Sequence, residues 1–320
     1  MKSEGNGDNS SSRLGFRGSE DLGDGLKAEF WLESDVGVDT GVGGQTASAS
    51  NSFASFWNRR STISLASAKW GELRLGRDYV PTHGVVCVYD PFGCVGPAQV
   101  TTFRSAYAVS AAAFPAGEST LVRANNVVRY YLPSNLGGVF GDVFLSAGEG
   151  GATSAGGASK TEGARLGYAS GAVHVSVATL NTRNTAVAGA TFIDTAFGGA
   201  YDFGVVKIGA SHRSYSLGSR KASDTMVAAT APLGLGYLKV SYVAANQSGT
   251  NAAGTDVDAI DASLIGVGYD YYLSKRTALY TAASRVSNKG AAKFTVSGGP
   301  AGILPGETST AYEVGIRHSF

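Results

Sequence analysis

No apolar run in the 320-residue chain is long enough to cross a bilayer as a helix. The longest nearly apolar stretch, Ala106–Phe114, has nine residues and contains Ser110, against about twenty for a spanning helix. Charge is also scarce: Asp, Glu, Lys and Arg make up 16% of the residues, below the usual ~25%. The formal net charge of +1 leaves no basic footprint for a nucleic acid. Catalytic patterns are missing too. The four histidines (His83, His174, His212 and His318) form no i, i+4 pair, and there is no Gly-x-Ser-x-Gly elbow and no His-Glu-x-x-His. The Gly-x-Gly strings follow no strand-to-helix pattern that would cradle a phosphate. Nor does an apolar export segment open the chain, since Met1-Lys2 runs straight into the polar stretch Ser3–Ser12.

Glycine is abundant, at 45 residues, about twice the usual share. Collagen and a disordered Pro/Gly chain are both excluded, because apolar residues reach 43%, prolines number only 8 and no Gly-X-Y period occurs. Mean hydropathy is +0.00. What organises the chain is alternation of polarity at period two. Lys27, Glu29, Trp31 and Glu33 share one face of a segment whose other face carries Ala28, Phe30 and Leu32. Ile63/Leu65, Leu73/Leu75, Val173/Val175/Val177, Leu238/Val240/Tyr242, Ile265/Val267/Tyr269 and Tyr312/Val314/Ile316 repeat the pattern.

This alternation predicts about fifteen strands: 12–20, 26–33, 57–66, 70–77, 125–132, 139–147, 163–169, 172–180, 192–203, 205–214, 222–231, 236–245, 260–272, 276–286 and 311–320. Short joins alternate with longer ones, and 78–124 is the longest. A soluble sandwich has no reason to sort its connections by side. An antiparallel barrel crossing a membrane does sort them, with tight turns at one rim and long loops at the other. A bilayer also requires every backbone group to be paired, and it sets apolar side chains outward and polar ones inward. That division accounts for a mean hydropathy near zero.

Several segments resemble the trimeric general-diffusion porins of β-proteobacteria. They are Ser-Arg-Leu-Gly-Phe-Arg-Gly-Ser-Glu-Asp-Leu-Gly-Asp-Gly-Leu-Lys-Ala (12–28), Gly-Glu-Leu-Arg-Leu-Gly-Arg (71–77) and Asn-Asn-Val-Val-Arg-Tyr (125–130). Leu-Ser-Lys-Arg-Thr-Ala-Leu-Tyr (273–280) and the closing Tyr-Glu-Val-Gly-Ile-Arg-His-Ser-Phe (312–320) complete the set. The resemblance implies an all-β, 16-stranded antiparallel transmembrane β-barrel occupying 1–320 as one domain. It also implies a homotrimer in a Gram-negative outer membrane among lipid and lipopolysaccharide, with loop 78–124 folded into the lumen. In such porins one strand precedes the segment matching 12–20, so the expectation here is an absent first strand and an absent signal peptide.

Selectivity in a diffusion pore comes from lumen-facing charge at the constriction. Parity turns Arg13, Arg17, Lys27, Arg60, Arg74 and Arg129 inward, together with the acids Glu29, Glu33 and Glu72. The resemblance implies a basic ladder on the strands flanking the inserted loop. Arg13, Arg17, Arg60, Arg74, Arg77 and Arg123 are its candidates, although Arg77 has the opposite parity. Local ion pairing would weaken the ladder. If the first hairpin turns about residue 23, Arg17 faces Glu29 and Arg13 faces Glu33.

The loop offers Asp90 and Glu118 as an acidic side, and Tyr-Asp-Pro-Phe-Gly (89–93) resembles the Pro-Glu-Phe-Gly loop tip of related porins. Within the loop, the stretch Ser105–Phe114 predicts a short helix. Cys87 and Cys94 flank the tip. An exported chain meets an oxidising compartment, so a disulfide is expected there. No metal site is expected, because the spacing is not Cys-x-x-Cys and His83 stands alone. The function expected is passive passage of small hydrophilic solutes with a weak preference for anions. No catalysis, cofactor or nucleic-acid partner is expected. A channel selective for carboxylates or similar nutrients, a surface adhesin or soluble sandwich, and a barrel hydrolase are the alternatives.

Overall fold

A computed structural model of the chain describes residues 9–38, 41, 43, 56–114, 119–148, 160–183, 187, 189–251, 253–300 and 302–320. Fifteen strands form one antiparallel sheet in strictly sequential order. They are β1 (Arg13–Gly23), β2 (Leu26–Asp35), β3 (Arg60–Ser67), β4 (Gly71–Tyr79), β5 (Arg123–Tyr131), β6 (Val139–Ser146), β7 (Thr161–Ser170) and β8 (Val173–Arg183), followed by β9 (Thr191–Asp202), β10 (Lys207–Leu217), β11 (Arg220–Leu233), β12 (Gly236–Ser248), β13 (Ala262–Tyr272), β14 (Thr277–Asn288) and β15 (Thr308–His318). Two helices, α1 (Pro81–Tyr89) and α2 (Ala108–Ala113), lie between β4 and β5.

The period-two pattern is realised residue by residue. Ile63, Leu65, Leu73, Leu75, Val175, Val177, Val240, Tyr242, Ile265 and Val267 are all 38–59% exposed, while alternate residues on the same strands are buried or half-buried. A sandwich would bury these side chains between two sheets, so the soluble alternative falls. An apolar face repeated over every strand is far larger than the patches that water-soluble monomers expose, and it matches the outward band of a membrane-spanning strand array. On the terminal strand β15, hydrogen-bonded only to β14 among the named strands, Tyr312 and Val314 reach 81% and 83% exposure.

Three local features differ from the expected pattern. The first hairpin turns on Asp24-Gly25, both at positive φ (51° and 74°), as a primed two-residue turn requires. The register then sets Arg17 opposite Trp31 and Arg13 opposite Asp35, two residues from the expected Arg17–Glu29 and Arg13–Glu33 alignments. The join between β10 and β11, expected among the long ones, is the pair Gly218-Ser219, because both strands run past their predicted ends. The long connection shortens to 80–122, since β4 continues to Tyr79 and β5 begins at Arg123. Its predicted helix is present as α2. The helix α1 has no counterpart in the alternation reading: Pro81 opens it, where a missing N–H costs nothing, and it buries Val85, Val86 and Tyr89.

By contacts the chain separates into two compact units. One comprises Ser12–Gly84 with Ala111–Ala196, the other Met1–Ser11, Val85–Ser110 and Phe197–Phe320. In the first, Val80, Ala124, Val127, Phe144 and Leu180 form a small apolar cluster, and Thr82 Oγ1 donates to the buried Asp194 carboxylate at 2.6 Å. In the second, the segment Val85–Ser110 lies directly on small residues of the sheet. A Cβ on Gly198 would sit 2.5 Å from the Tyr89 ring, and one on Gly266 would sit 2.5 Å from Cβ of Ala98. Glycine is required at both positions because nothing larger admits the overlying segment. Phe103 and Tyr107 meet Phe294 edge-on, at 5.3 and 5.9 Å between ring centroids. The Tyr107 hydroxyl donates to buried Asp224, and the Ala108 N–H donates to Gln247 Oε1 at 2.8 Å.

Candidate functional site

Polar faces of neighbouring strands bring residues distant in sequence side by side, because each antiparallel register sets one inward residue opposite another. On β1–β7 of the first unit this gathers arginines. Arg59, just before β3, donates to Glu33 Oε1 at 2.7 Å, to Asp35 Oδ1 at 2.7 Å and to the Tyr79 hydroxyl at 3.1 Å. Arg123 donates to that same hydroxyl at 2.6 Å. Arg13 lies 3.6 Å from Glu33. Arg77 turns back into the group, donating to the Asn58 carbonyl at 2.6 Å and to Asn125 Oδ1.

A second knot centres on Asp78. Its buried carboxylate meets Arg74 at 2.8 Å, Arg60 at 3.4 Å and Arg129 at 3.7 Å. Arg74 also pairs with Glu72 at 2.7 Å, and Asp142 takes Arg129 at 2.7 Å and Arg165 at 2.8 Å. A carboxylate offers about four lone-pair sites, so one acid can hold several guanidinium forks. That is how nine arginines (13, 17, 59, 60, 74, 77, 123, 129 and 165) share a face with only five linked carboxylates, Glu33, Asp35, Glu72, Asp78 and Asp142. The surplus on this face is positive.

Arg17 is held by an aromatic ring. The Arg17 guanidinium stacks on the Trp31 ring at 3.5 Å, and Arg60 stacks on the same ring at 3.9 Å. Arg17 and Arg60 come from β1 and β3, the strands on either side of β2, which carries Trp31. Beside this stack is a hollow of about 450 Å³ lined by Ser19, Glu29, Thr62, Ser64, Glu72 and the Arg17, Arg60 and Arg74 guanidinium groups. Room, hydroxyls and the Arg17 cation, which has no ion pair among the described residues, together suit the passage of small hydrated anions.

The loop tip lies in the second unit. Cys87 and Cys94 are joined by a disulfide. Asp90, expected as a displayed acid, is instead buried. Its carboxylate accepts the N–H groups of Phe92 at 2.9 Å, Cys94 at 3.0 Å and Val100 at 2.9 Å. Burial pushes its pKa up to about 6, against the pull of those three donors. The side chain therefore shapes the turn and is not displayed at the surface of the loop. Glu118 lies outside the described residues.

Arg13, Arg17, Arg60, Arg74, Arg77 and Arg123 thus fall in one connected network, although Arg17 is stacked where pairing with Glu29 was expected. Arg77 joins because β5 carries a bulge there: Asn126 takes φ 50°, and the register slips between Gly76 and Asp78. Sequence reasoning missed Arg59, Asp78, Tyr79 and the stacking role of Trp31. Asp78 was detectable, since it continues the parity of Glu72 and Arg74 once β4 is allowed two more residues. Arg59 was not, because the expected strand 57–66 gave it the parity opposite to Arg60, whereas β3 begins only at Arg60 and leaves Arg59 outside the alternation.

A Gram-negative porin family model matches residues 2–291. The chain is 37% identical to outer membrane porin protein 32 of Delftia acidovorans over 97% of its own length and 85% of that protein. It is 32% identical to an outer membrane porin of Bordetella pertussis, covering 98% of this chain and 84% of the relative. Among solved structures it is similar to an anion-selective porin from Comamonas acidovorans, with a TM-score of 0.80, 34% identity and coverage of 98% and 90% of the two chains.

Proposed function

The chain belongs to the Gram-negative porin family, an outer-membrane channel protein and not an enzyme, and we propose that it passes small hydrophilic solutes by diffusion with a weak preference for anions. The observation that carries the preference is the surplus of guanidinium over carboxylate on the polar face of β1–β7, with Arg17 in no ion pair among the described residues. A fixed positive surplus concentrates anions and repels cations within about a Debye length, roughly 10 Å at 0.1 M salt. The limited size of the surplus keeps the preference weak. The 34% identical solved relative is an anion-selective porin, which supports the same sign.

Assembly as a homotrimer surrounded by lipid and lipopolysaccharide is part of the same proposal, supported by the continuous apolar outward face and by family membership. A substrate-selective channel for carboxylates differs in one measurable way: its conductance saturates and is blocked by the preferred solute. The test is the reversal potential across a planar bilayer under a potassium chloride gradient. An anion-favouring sign is expected, moving toward zero in Arg17→Gln. A cation-favouring sign in the unaltered protein overturns the proposal.

A further inference from the structure

Resting on the anion-preference reading, we propose that Trp31 is a specificity-determining positioning residue: it holds Arg17 and Arg60 in place without cancelling their charge. An arginine on a strand face can be fixed in two ways. A carboxylate fixes it by pairing and removes its field from the surroundings. An aromatic ring fixes it through its quadrupole and leaves the full positive charge facing solvent. Most arginines of this face are held the first way, as Arg59, Arg74 and Arg129 show. Arg17 is held the second way, exposed and stacked at 3.5 Å. Arg60 is held both ways, at 3.9 Å from the ring and 3.4 Å from Asp78.

The alternative partner for Arg17 is close. Glu29 lies two residues from Trp31 on the same face of β2 and lines the same hollow. It has no ion pair among the described residues and accepts only a long bond from the Ser19 hydroxyl, at 3.4 Å. The indole therefore competes with Glu29 for Arg17, and it is the indole that keeps the charge available. Its own Nε1–H is buried with no hydrogen-bond partner among the described residues, so the side chain serves as an aromatic face and not as a donor.

The experiment compares reversal potentials of the full chain in planar bilayers. Trp31→Leu is expected to lower the anion-to-cation permeability ratio by about two- to fivefold, the range an exposed cation–π contact supports. Trp31→Phe is expected to retain most of the ratio, because no hydrogen bond is lost. Trp31→Leu combined with Glu29→Gln is expected to recover it, since the competing carboxylate is gone. A merely structural role for Trp31 predicts otherwise: Trp31→Leu changes unit conductance or the heat-unfolding midpoint while the reversal potential stays put. That result overturns the inference, as does failure of Glu29→Gln to restore the ratio. An unaltered protein with no anion preference overturns the reading beneath it first, so the two failures are told apart by the wild-type trace. Should Trp31→Leu not fold, the Trp31→Phe and Trp31→Phe/Glu29→Gln pair carries the same comparison at smaller amplitude.

Discussion

The polar faces of β1–β5 and of β10–β14 follow the same alternation rule and end in opposite conditions. On β1–β5 the inward residues are long and charged, and open space remains among them in the hollow beside Trp31. On β10–β14 the residues that a peptide segment meets most closely are short, Ala98 lying against Gly266 and Phe92 against Gly268, while the longer Arg213, Tyr215 and Asp224 are buried elsewhere on β10 and β11. Phe92, Ala98 and Ala282 form one buried cluster there. Where inward side chains are absent or short, a layer of protein can come within contact of the strand backbone. Small residues let the segment Val85–Ser110 approach the backbone at Gly198, Gly266 and Gly268.

The sharpest way to break this contrast is to lengthen a side chain under the segment. Gly266→Val places a Cβ 2.5 Å from Ala98, and such overpacking costs about 1–3 kcal/mol. The expected result is a lower unfolding midpoint together with noisier single-channel current. Ser19→Val, exposed on the hollow of the charged face, should change stability by less than ~0.5 kcal/mol. Equal shifts in the two variants mean that the faces do not differ as described.

A smaller effect is expected from Cys87→Ser with Cys94→Ser. The bond closes a short loop, with a sequence separation of 7, and chain-entropy arguments assign it about 2 kcal/mol. Hydrogen exchange at the tip should quicken while the reversal potential stays unchanged, because the arginine network lies on other strands. A large shift of the reversal potential in this variant would tie the tip to selectivity after all.

The least effect comes from pH. Folding raises the Asp90 pKa to about 6, so the folded tip favours the protonated acid. The stability this contributes is fully present below the ordinary carboxylate range and is lost as pH rises through about 6. Protection of the Phe92, Cys94 and Val100 amides, corrected for intrinsic exchange, should decline modestly between pH 5 and 7, a span of roughly two units around that midpoint. Asp90→Asn should abolish the pH dependence. A dependence that persists in Asp90→Asn assigns the titration to another group.

Parity made much of the charged face legible. Arg13, Arg17, Arg60 and Arg74 were placed inward from alternation alone, and all four belong to the observed network. Parity failed where a strand stops being regular. Asn126 in a left-handed conformation shifts β5 by one residue and sets Arg123 beside Tyr79, and Arg59, expected within a strand over 57–66, sits before β3 and off its alternation. The first hairpin shows the same weakness. Moving its turn to Asp24-Gly25 exchanged an expected Arg17–Glu29 ion pair for an arginine on an indole.

What this sequence determined by itself is the division of every strand into an apolar and a polar side, because a strand's side chains alternate whatever it packs against. From that follow the all-β architecture, the outward apolar face and the set of residues able to line a channel. Which of those residues touch was left to tertiary structure, since register, bulges and turn type each change by single residues and a single residue exchanges one neighbour for another. The same holds for Asp90. Its sequence context marks a charged loop tip, but only the folded turn brings three N–H groups onto it and buries it from solvent.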